Sequence, residues 1–112
     1  MTKKISYRAS TLLALENTVG ATLRTPIKRL IWLEQIVGVP VYAKLEFQQH
    51  TGSFKFRGAL NALKNMEKGQ TVIAASAGNH ALAVAQAAQQ LGVPFRICLP
   101  ANASRIKREK LI

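Results

Sequence analysis

The sequence predicts an α/β protein with three layers, in which helices flank an open parallel sheet. Two observations carry this prediction. From Val41 onward, short apolar strands alternate with helices, and only a few residues separate one element from the next. Glycine or proline also stands near the ends of these elements. Such a pattern is typical of βαβ units, in which consecutive strands run parallel.

The first part of the chain is expected to hold two short helices and one extended stretch. The helices are predicted at Ser10–Val19 and Leu30–Val37, and a glycine that can end each helix follows directly. Thr22–Ile27 is expected to be extended, because residues before a proline avoid the α region.

Residues 39–112 are expected to form a partial small α/β domain. Its predicted elements are the strands Val41–Glu46, Thr71–Ala75 and Phe95–Leu99 and the helices Ser53–Glu67, Asn79–Leu91 and Ala103–Ile112. The second of these helices is apolar nearly all round, which indicates that protein packs against most of its sides. Ser53 is a residue type that caps helices, so the first helix is expected to begin there.

Charge and composition narrow the functional classes. Sixteen lysine and arginine residues stand against five acidic ones, for a formal net charge of +11. The basic residues are spread over different elements, apart from a cluster at Arg105–Lys110, and aromatic residues do not alternate with them as a stacking surface requires. We therefore expect no nucleic-acid partner. The apolar runs are too short to span a bilayer, so we expect no membrane partner and a cytoplasmic location.

A metal site is not expected either. Two histidines and one cysteine, far apart in the sequence, are too few ligands. Cys98 stands in the apolar run Phe95–Leu99 and is expected to be buried as a small hydrophobic residue.

The stretch Thr51–Ala59 holds the first candidate site residue, Lys55. If a helix begins just before it, the positive end of the helix dipole favours the neutral amine that imine formation needs. Phe54 and Phe56 cannot both face the core, because neighbours on a helix point about 100° apart, and one of them can lie beside a planar ligand. Gly58 leaves room where backbone or ligand comes close. Taken alone, a solvated lysine on an amphipathic helix explains these residues equally well.

The second candidate site is the loop between the strand 71–75 and the apolar helix. Ser76, Ala77 and Gly78 can offer consecutive backbone N–H groups to a carboxylate or a phosphate. Asn79 adds an amide, and His80 adds a donor that depends on protonation. Ligands of open parallel sheets collect at this carboxyl end of the strands. A helix-capping turn without a ligand is the plainer interpretation of the loop by itself.

Taken together, the stretches Leu45–Ala59 and Ala75–His80 closely resemble the pyridoxal-phosphate enzymes of the tryptophan-synthase-β-like fold. Within that fold they are most similar to the threonine/serine dehydratase branch. Thr25–Ile27 resembles the Thr-Pro-Leu of that branch, and Leu99–Lys107 matches its next segment. The resemblance therefore covers nearly the whole chain from about Arg24 onward and implies a partial form of that fold. It also implies that residues 1–38 form an N-terminal segment that would pack on a large domain.

The resemblance implies a role for each matching residue. Lys55 would form the Schiff base with the aldehyde of pyridoxal 5'-phosphate and later move the Cα proton of the amino-acid substrate. Phe54 would lie against the pyridine ring, and Asn79 would hydrogen-bond the phenolic oxygen. Ser76–His80 would hold the substrate carboxylate. The implied reaction removes water from a hydroxy-amino acid and yields a 2-oxo acid and ammonia, with the cofactor as electron sink.

Two further points of the resemblance bear on activity. Ala77 stands where serine-racemizing relatives have a serine, which favours dehydration over racemization. The glycine-rich phosphate loop and the partner of the pyridine nitrogen lie far beyond position 112 in the relatives. The chain is therefore expected to be a truncated, N-terminal portion of such an enzyme, inactive alone and a weak binder of the cofactor at most. A full-length version is expected to be a homo-oligomer.

Alternatives from other classes stay open. A related pyridoxal-phosphate enzyme could perform β-replacement or racemization with the same lysine. A non-catalytic remnant or interaction module could instead pair with another subunit through its exposed sheet edge and apolar helix face. Nucleic-acid binding is the least supported alternative.

Overall fold

The computed structural model of the chain describes residues 7–109 and 111, apart from the side chain at position 107. The predictions for Met1–Ser6, and for positions 110 and 112 of the last helix, fall outside the described residues. In chain order the elements are α1 (Tyr7–Thr18), β1 (Ile27–Arg29), α2 (Ile31–Val37), β2 (Tyr42–Lys44), α3 (Lys55–Lys64), β3 (Val72–Ala75), α4 (Asn79–Leu91), β4 (Phe95–Cys98) and α5 (Arg105–Glu109). A 3-10 turn, Glu46–Gln48, lies between β2 and α3.

The predicted parallel sheet is confirmed for β3 and β4. Val72 lies opposite Phe95 and Ala75 lies opposite Cys98, and α4 connects the two strands as the helix of a βαβ unit. The bounds of α4 are those predicted, since Gly92 ends the helix in the left-handed conformation with φ of 66°. The chain is therefore an α/β protein with a parallel sheet and packed helices.

The expectation that Val41–Glu46 joins this sheet is wrong. This stretch forms β2, which pairs antiparallel with β1 in a separate two-stranded sheet, so that Ile27 lies opposite Lys44. The physical reason is the short helix α2, which folds back between the two strands and reverses the chain. Antiparallel neighbours need only such a short connection, whereas a parallel crossover needs a longer one.

The hydrophobic core lies between α3, α4 and the parallel sheet. Phe56 and Leu60 are its largest fully buried side chains, each 0% exposed. The buried alanines of α4, together with Ala74 of β3, let helix and strand approach closely. The prediction that protein packs against most sides of α4 is confirmed. Full burial of a side chain such as Leu60 contributes about 2 kcal/mol to folding.

The start of α3 differs from the prediction. Ser53 does not cap the helix, because α3 begins at Lys55 and its N-cap position is Phe54, which has no side-chain cap hydrogen bond. The hydroxyl of Ser53 is buried without a hydrogen-bond partner. The helix ends at Lys64, before the expected Glu67, and the chain turns at Gly69 with φ of 84°.

Cys98 is exposed, so the expectation of a buried cysteine is wrong. Side chains of a strand alternate between its two faces, and in β4 Phe95 and Ile97 are half-buried whereas Arg96 and Cys98 are exposed. The apolar run therefore hides only every second side chain. Among the described residues, no helix is both long and apolar enough to cross a membrane. The same residues contain no cluster of potential metal ligands.

Candidate active site

The first residues of α3 point in different directions because neighbours on a helix are about 100° apart. Phe56 is 0% exposed and lies in the core, whereas Phe54 is 62% exposed. The prediction that only one of these two rings faces the core is confirmed. Lys55 stands between them, exposed to solvent.

Lys55 opens into a cleft of about 390 Å³ between α3, β3 and α4. Its Nζ lies 5.1 Å from the centroid of the Phe54 ring, within the range of a cation–π contact. His80 of α4 lines the same cleft. The structure therefore brings together three of the residues singled out from the sequence. The remaining walls are mostly apolar and include Ala59, Ala62, Leu63, Val72, Ile73, Ala74 and Val84.

Gly58 also lines this cleft, one turn beyond the start of α3. A Cβ atom placed on Gly58 would have no neighbouring heavy atom within 4 Å. No part of the described protein therefore requires a glycine at this position. The space that the missing side chain leaves belongs to the cleft.

The loop Ser76–Gly78 uses some of its predicted donors internally. The Ser76 N–H donates to the carbonyl oxygen of Cys98 at 3.2 Å, which extends the sheet by one bond. The Gly78 N–H donates to Oγ of Ser76 at 3.2 Å. These two N–H groups are therefore already bonded within the protein, which leaves a ligand the N–H group of Ala77 and donors further along the chain.

Such donors stand at the start of α4. The first helical hydrogen bond runs from the Leu82 N–H to the carbonyl oxygen of Gly78 at 3.2 Å. The N–H groups of Asn79, His80 and Ala81 precede it and have no acceptor within the helix. Together with the helix dipole they favour an anion at this end of α4. Asn79 and His80 are both exposed here.

Ser76 and Lys55 line separate cavities. Ser76 faces a second cavity of about 280 Å³, whose other lining residues are Ala75, Cys98, Leu99 and Pro100. This cavity shares no lining residue with the Lys55 cleft. Of the loop and helix start, His80 is the residue that reaches the lysine cleft.

A charged cluster beside Lys55 has no counterpart in the predictions from sequence. Arg57 donates two hydrogen bonds to Glu46, from Nε to Oε2 and from Nη2 to Oε1, each 2.8 Å long. This pairing lowers the pKa of Glu46 to about 2, aided by a hydrogen bond from the Thr25 hydroxyl. Lys44 adds a second positive group at 3.8 Å from the carboxylate. Glu46 is thus held as an anion.

The cluster ties the residues around Lys55 to the beginning of the chain. Arg57 donates to the hydroxyl of Thr22 at 3.1 Å and to the carbonyl oxygen of Leu23 at 2.7 Å. The buried Gln49 accepts from the Leu23 N–H at 2.9 Å and donates to its carbonyl oxygen at 3.1 Å. One signal in the sequence pointed to this cluster: Glu46 is one of only five acidic residues and lies in the same motif as Arg57.

Comparisons with known proteins identify the family of this chain. The family described as pyridoxal-phosphate dependent enzyme matches residues 20–112. The chain is 42% identical over 97 residues to an L-threo-3-hydroxyaspartate ammonia-lyase of Pseudomonas sp, an alignment that covers 84% of this chain and 30% of the relative. It is 44% identical over 90 residues to a catabolic L-threonine dehydratase of Staphylococcus aureus, which covers 77% of this chain and 26% of the relative.

Solved structures are similar as well. Maize serine racemase superimposes with a TM-score of 0.79 at 33% identity, over 92% of this chain and 32% of the racemase. The threonine deaminase of T.th. superimposes with a TM-score of 0.76 at 35% identity, over 91% of this chain and 34% of the deaminase. The fold is thus a partial tryptophan-synthase-β-like fold, as predicted.

This chain belongs to the family of pyridoxal-phosphate dependent enzymes. Within that family it is related to ammonia-lyases, with a threonine dehydratase and a hydroxyaspartate ammonia-lyase among its relatives. It spans less than a third of the length of these curated relatives.

The residues present fit the cofactor of the family, pyridoxal 5'-phosphate. Lys55 offers a primary amine to an aldehyde, in an open cleft whose walls are mostly apolar. The exposed ring of Phe54 can lie against a planar ring, and Gly58 leaves free space in the same cleft. Asn79 is exposed at the start of α4 and is not among the residues that line this cleft.

Proposed function

We propose that these residues form the lysine side of an active site that removes water from a hydroxy-amino acid, such as threonine or serine, with pyridoxal phosphate as cofactor. The products would be a 2-oxo acid and ammonia. The observation that carries the proposal is the shared cleft of Lys55, Phe54 and His80 in a chain whose relatives include two ammonia-lyases. Its amino-acid substrate is the small-molecule partner.

Lys55 has two tasks in this proposal. Its amine would hold the cofactor covalently, and the same amine would take the proton from the substrate Cα. Both tasks need an amine that is exposed in the cleft, as Lys55 is. When bound, pyridoxal phosphate supplies an electron sink for the Cα–H bond cleavage.

The start of α4 orients the substrate. We assign the carboxylate of the amino acid to the loop Ser76–His80, chiefly to the N–H groups of Asn79 and His80, which have no helical acceptor. A carboxylate fixed at this point restricts where the Cα–H bond can lie relative to Lys55. The assignment of Phe54 to the ring face and of Asn79 to the phenolic oxygen belongs to the same proposal.

Racemization is a second candidate because maize serine racemase has a similar fold at 33% identity. Ala77 has no side-chain group that could deliver a proton to the opposite face of Cα. Dehydration needs no such group, and we therefore favour it. Measuring D-amino acid and 2-oxo acid from the same L-serine sample separates racemization from dehydration.

A graft into a relative tests the proposal directly. The aligned segment of the S. aureus threonine dehydratase would be replaced by the corresponding 90 residues of this chain. We expect the graft to release ammonia and 2-oxo acid from threonine or serine, and we expect Lys55→Ala to reduce that release to background.

One control variant and two contrary outcomes complete the graft experiment. Lys64→Ala removes a lysine from the opposite end of α3 and should leave turnover unchanged, since Lys64 lies outside the cleft. Turnover that survives Lys55→Ala would refute the assignment of the covalent lysine. A folded graft that takes up the cofactor but forms neither 2-oxo acid nor D-amino acid would argue for the non-catalytic alternative.

We further propose a cytoplasmic homo-oligomer as the setting of this activity, with residues 1–38 packed on a further domain. Support for the packing comes from α1 and α2, where large apolar side chains such as Leu15 and Trp32 are more than half exposed. The 112 residues alone are expected to be inactive, because they supply one side of the site. Enzyme-like turnover by the 112-residue chain with pyridoxal phosphate and threonine would contradict this expectation.

A further inference from the structure

The helix that carries Lys55 begins without a side-chain cap. Phe54 occupies its N-cap position and offers no acceptor to the first N–H groups. The nearby Ser53 hydroxyl, which could have served, is buried without a partner. Since capping usually stabilises a helix start, other contacts must hold the first turn of α3 in place.

Core packing holds one side of this turn. Phe56 is fully buried, and the ring of His50 meets it edge-on with centroids 5.6 Å apart. Ala59, Leu60 and Leu63 of the same helix are also buried in the core. These contacts hold the apolar face of α3, and a second anchor on another face further restricts the orientation of the turn that carries Lys55.

Arg57 is that second anchor. Its guanidinium nitrogens Nε, Nη1 and Nη2 all donate hydrogen bonds, to Glu46, to the Thr22 hydroxyl and to the Leu23 carbonyl oxygen. The bonds to Glu46 form a two-pronged pair, the geometry in which arginine is most directional. Hydrogen bonds therefore join the first turn of α3 to Thr22 and Leu23, which lie more than thirty positions earlier in the chain.

Glu46 is itself fixed on several sides. The Thr25 hydroxyl donates to Oε1, and Lys44 Nζ, which also donates to Thr25 at 2.6 and 2.7 Å, lies 3.8 Å from the same oxygen. The Glu46 side chain is only 15% exposed. A carboxylate held in this way is a rigid support for Arg57.

We propose that Arg57, supported by Glu46, is a positioning residue that directs Lys55 into the cofactor cleft. The inference rests on the proposed function of Lys55 as the covalent lysine. The Arg57 side chain does not line the cleft; it acts through the backbone of the turn that the two residues share.

The chain offers a matched control pair. Arg29 binds Glu34 with the same two-pronged geometry, from Nε to Oε1 and from Nη2 to Oε2, each 2.8 Å long. This pair joins β1 to α2 and is far along the chain from Lys55. Its loss should therefore leave the direction of Lys55 unchanged.

The test measures how selectively pyridoxal phosphate modifies Lys55. The 112-residue chain is incubated with pyridoxal phosphate and reduced with borohydride, and the label at Lys55 and at the exposed Lys64 of the same helix is quantified by peptide mass spectrometry. We expect the ratio of label at Lys55 to label at Lys64 to fall about tenfold in Arg57→Ala. It should stay at the wild-type value in Arg29→Ala.

The outcomes separate this inference from the proposed function. An Arg57→Ala ratio equal to that of the wild type overturns the positioning role and leaves Lys55 as the covalent lysine. A wild-type ratio near one also overturns the inference, whereas the proposed function is overturned by turnover that survives Lys55→Ala in the graft. An equal fall in Arg29→Ala also overturns the inference, because the effect would then be general loosening of the structure.

A conservative variant covers the case in which Arg57→Ala does not fold. Arg57→Lys keeps the positive charge but cannot form the two-pronged pair. We expect Arg57→Lys to keep the circular dichroism spectrum of the wild type. Its labelling ratio should fall below the wild-type value but stay several-fold above that of Arg57→Ala. A full wild-type ratio in Arg57→Lys would show that charge alone suffices and would contradict a directional role.

Discussion

The two halves of the chain are held together by different interactions. Among the described residues, every buried hydrophobic side chain lies between Phe56 and Ala88. The buried side chains of residues 7–52 are instead polar, namely Thr18, Thr25 and Gln49. The second half is stabilised by its own apolar core, whereas hydrogen bonds and ion pairs attach the first half to it. Lys55 lies in the second half, two residues before Arg57, which donates hydrogen bonds to the first half.

The apolar surface follows the same division. On α1 and α2, side chains such as Leu12, Ile31 and Ile36 are more than half exposed. Exposed apolar patches of this kind mark surfaces that other protein covers. The first half therefore carries apolar side chains without using them for its own packing. Substitutions in the apolar core of the second half should therefore affect stability differently from substitutions in the contacts between the halves.

The largest expected effect is the loss of a core side chain. Leu60→Ala should lower the free energy of unfolding by about 3 kcal/mol, because a fully buried leucine leaves a cavity between α3 and α4. The matched change in the first half, Leu12→Ala, removes an exposed side chain and should cost less than about 0.5 kcal/mol. Urea unfolding of both variants measures the difference. Equal costs would contradict the division between the halves.

The next effect concerns acid. The pKa of Glu46 is about 2 in the folded protein and about 4.5 in the unfolded chain, so its pairing stabilises the fold above pH 4.5. This contribution is lost as the pH falls from 4.5 through 2. Glu46→Gln should therefore remove much of the fall in stability between pH 5 and pH 2.

Thermal unfolding at several pH values checks this prediction. Glu34→Gln is the control, because Glu34 pairs with Arg29 within the first half and not across the two halves. The hydrogen bond from Arg29 also lowers the pKa of Glu34. If Glu34→Gln reduces the pH dependence of stability as much as Glu46→Gln does, the hydrogen bonds of Glu46 between the two halves are not its specific cause.

The smallest effect is expected at Gly58. Gly58→Ala should stabilise the fold by about 1 kcal/mol, because alanine favours the helix and its Cβ would meet no other atom within 4 Å. The same methyl group narrows the cleft, so labelling of Lys55 by pyridoxal phosphate should decrease. Unfolding and labelling of one sample give both values. A destabilised variant would show that the space is not free.

Local signals in the sequence predicted much of the second half. The apolar pattern and the glycine at its end gave the correct bounds of α4, and the position of Lys55 in the first turn of α3 was also correct. Both features depend on neighbouring residues in the chain. A short stretch of sequence contains all the residues on which these features depend, which explains why the predictions agree with the structure.

Long-range contacts account for what could not be predicted. β2 pairs with β1, and Arg57 donates hydrogen bonds to residues at positions 22, 23 and 46, which lie far outside any local pattern. The exposure of Cys98 follows from which face of β4 the helices cover, which the run of apolar letters does not specify. The candidate lysine was predictable, but the cluster beside it was not.

We propose Lys55 as the lysine that binds pyridoxal phosphate. The distribution of the reduced pyridoxal phosphate label over all lysines of this chain, carried in the graft and read by peptide mass spectrometry, tests this assignment. We expect a label concentrated at Lys55, about tenfold above that at Lys44 or Lys64, and its loss from that peptide in Lys55→Ala. A label spread evenly over the exposed lysines would contradict the claim.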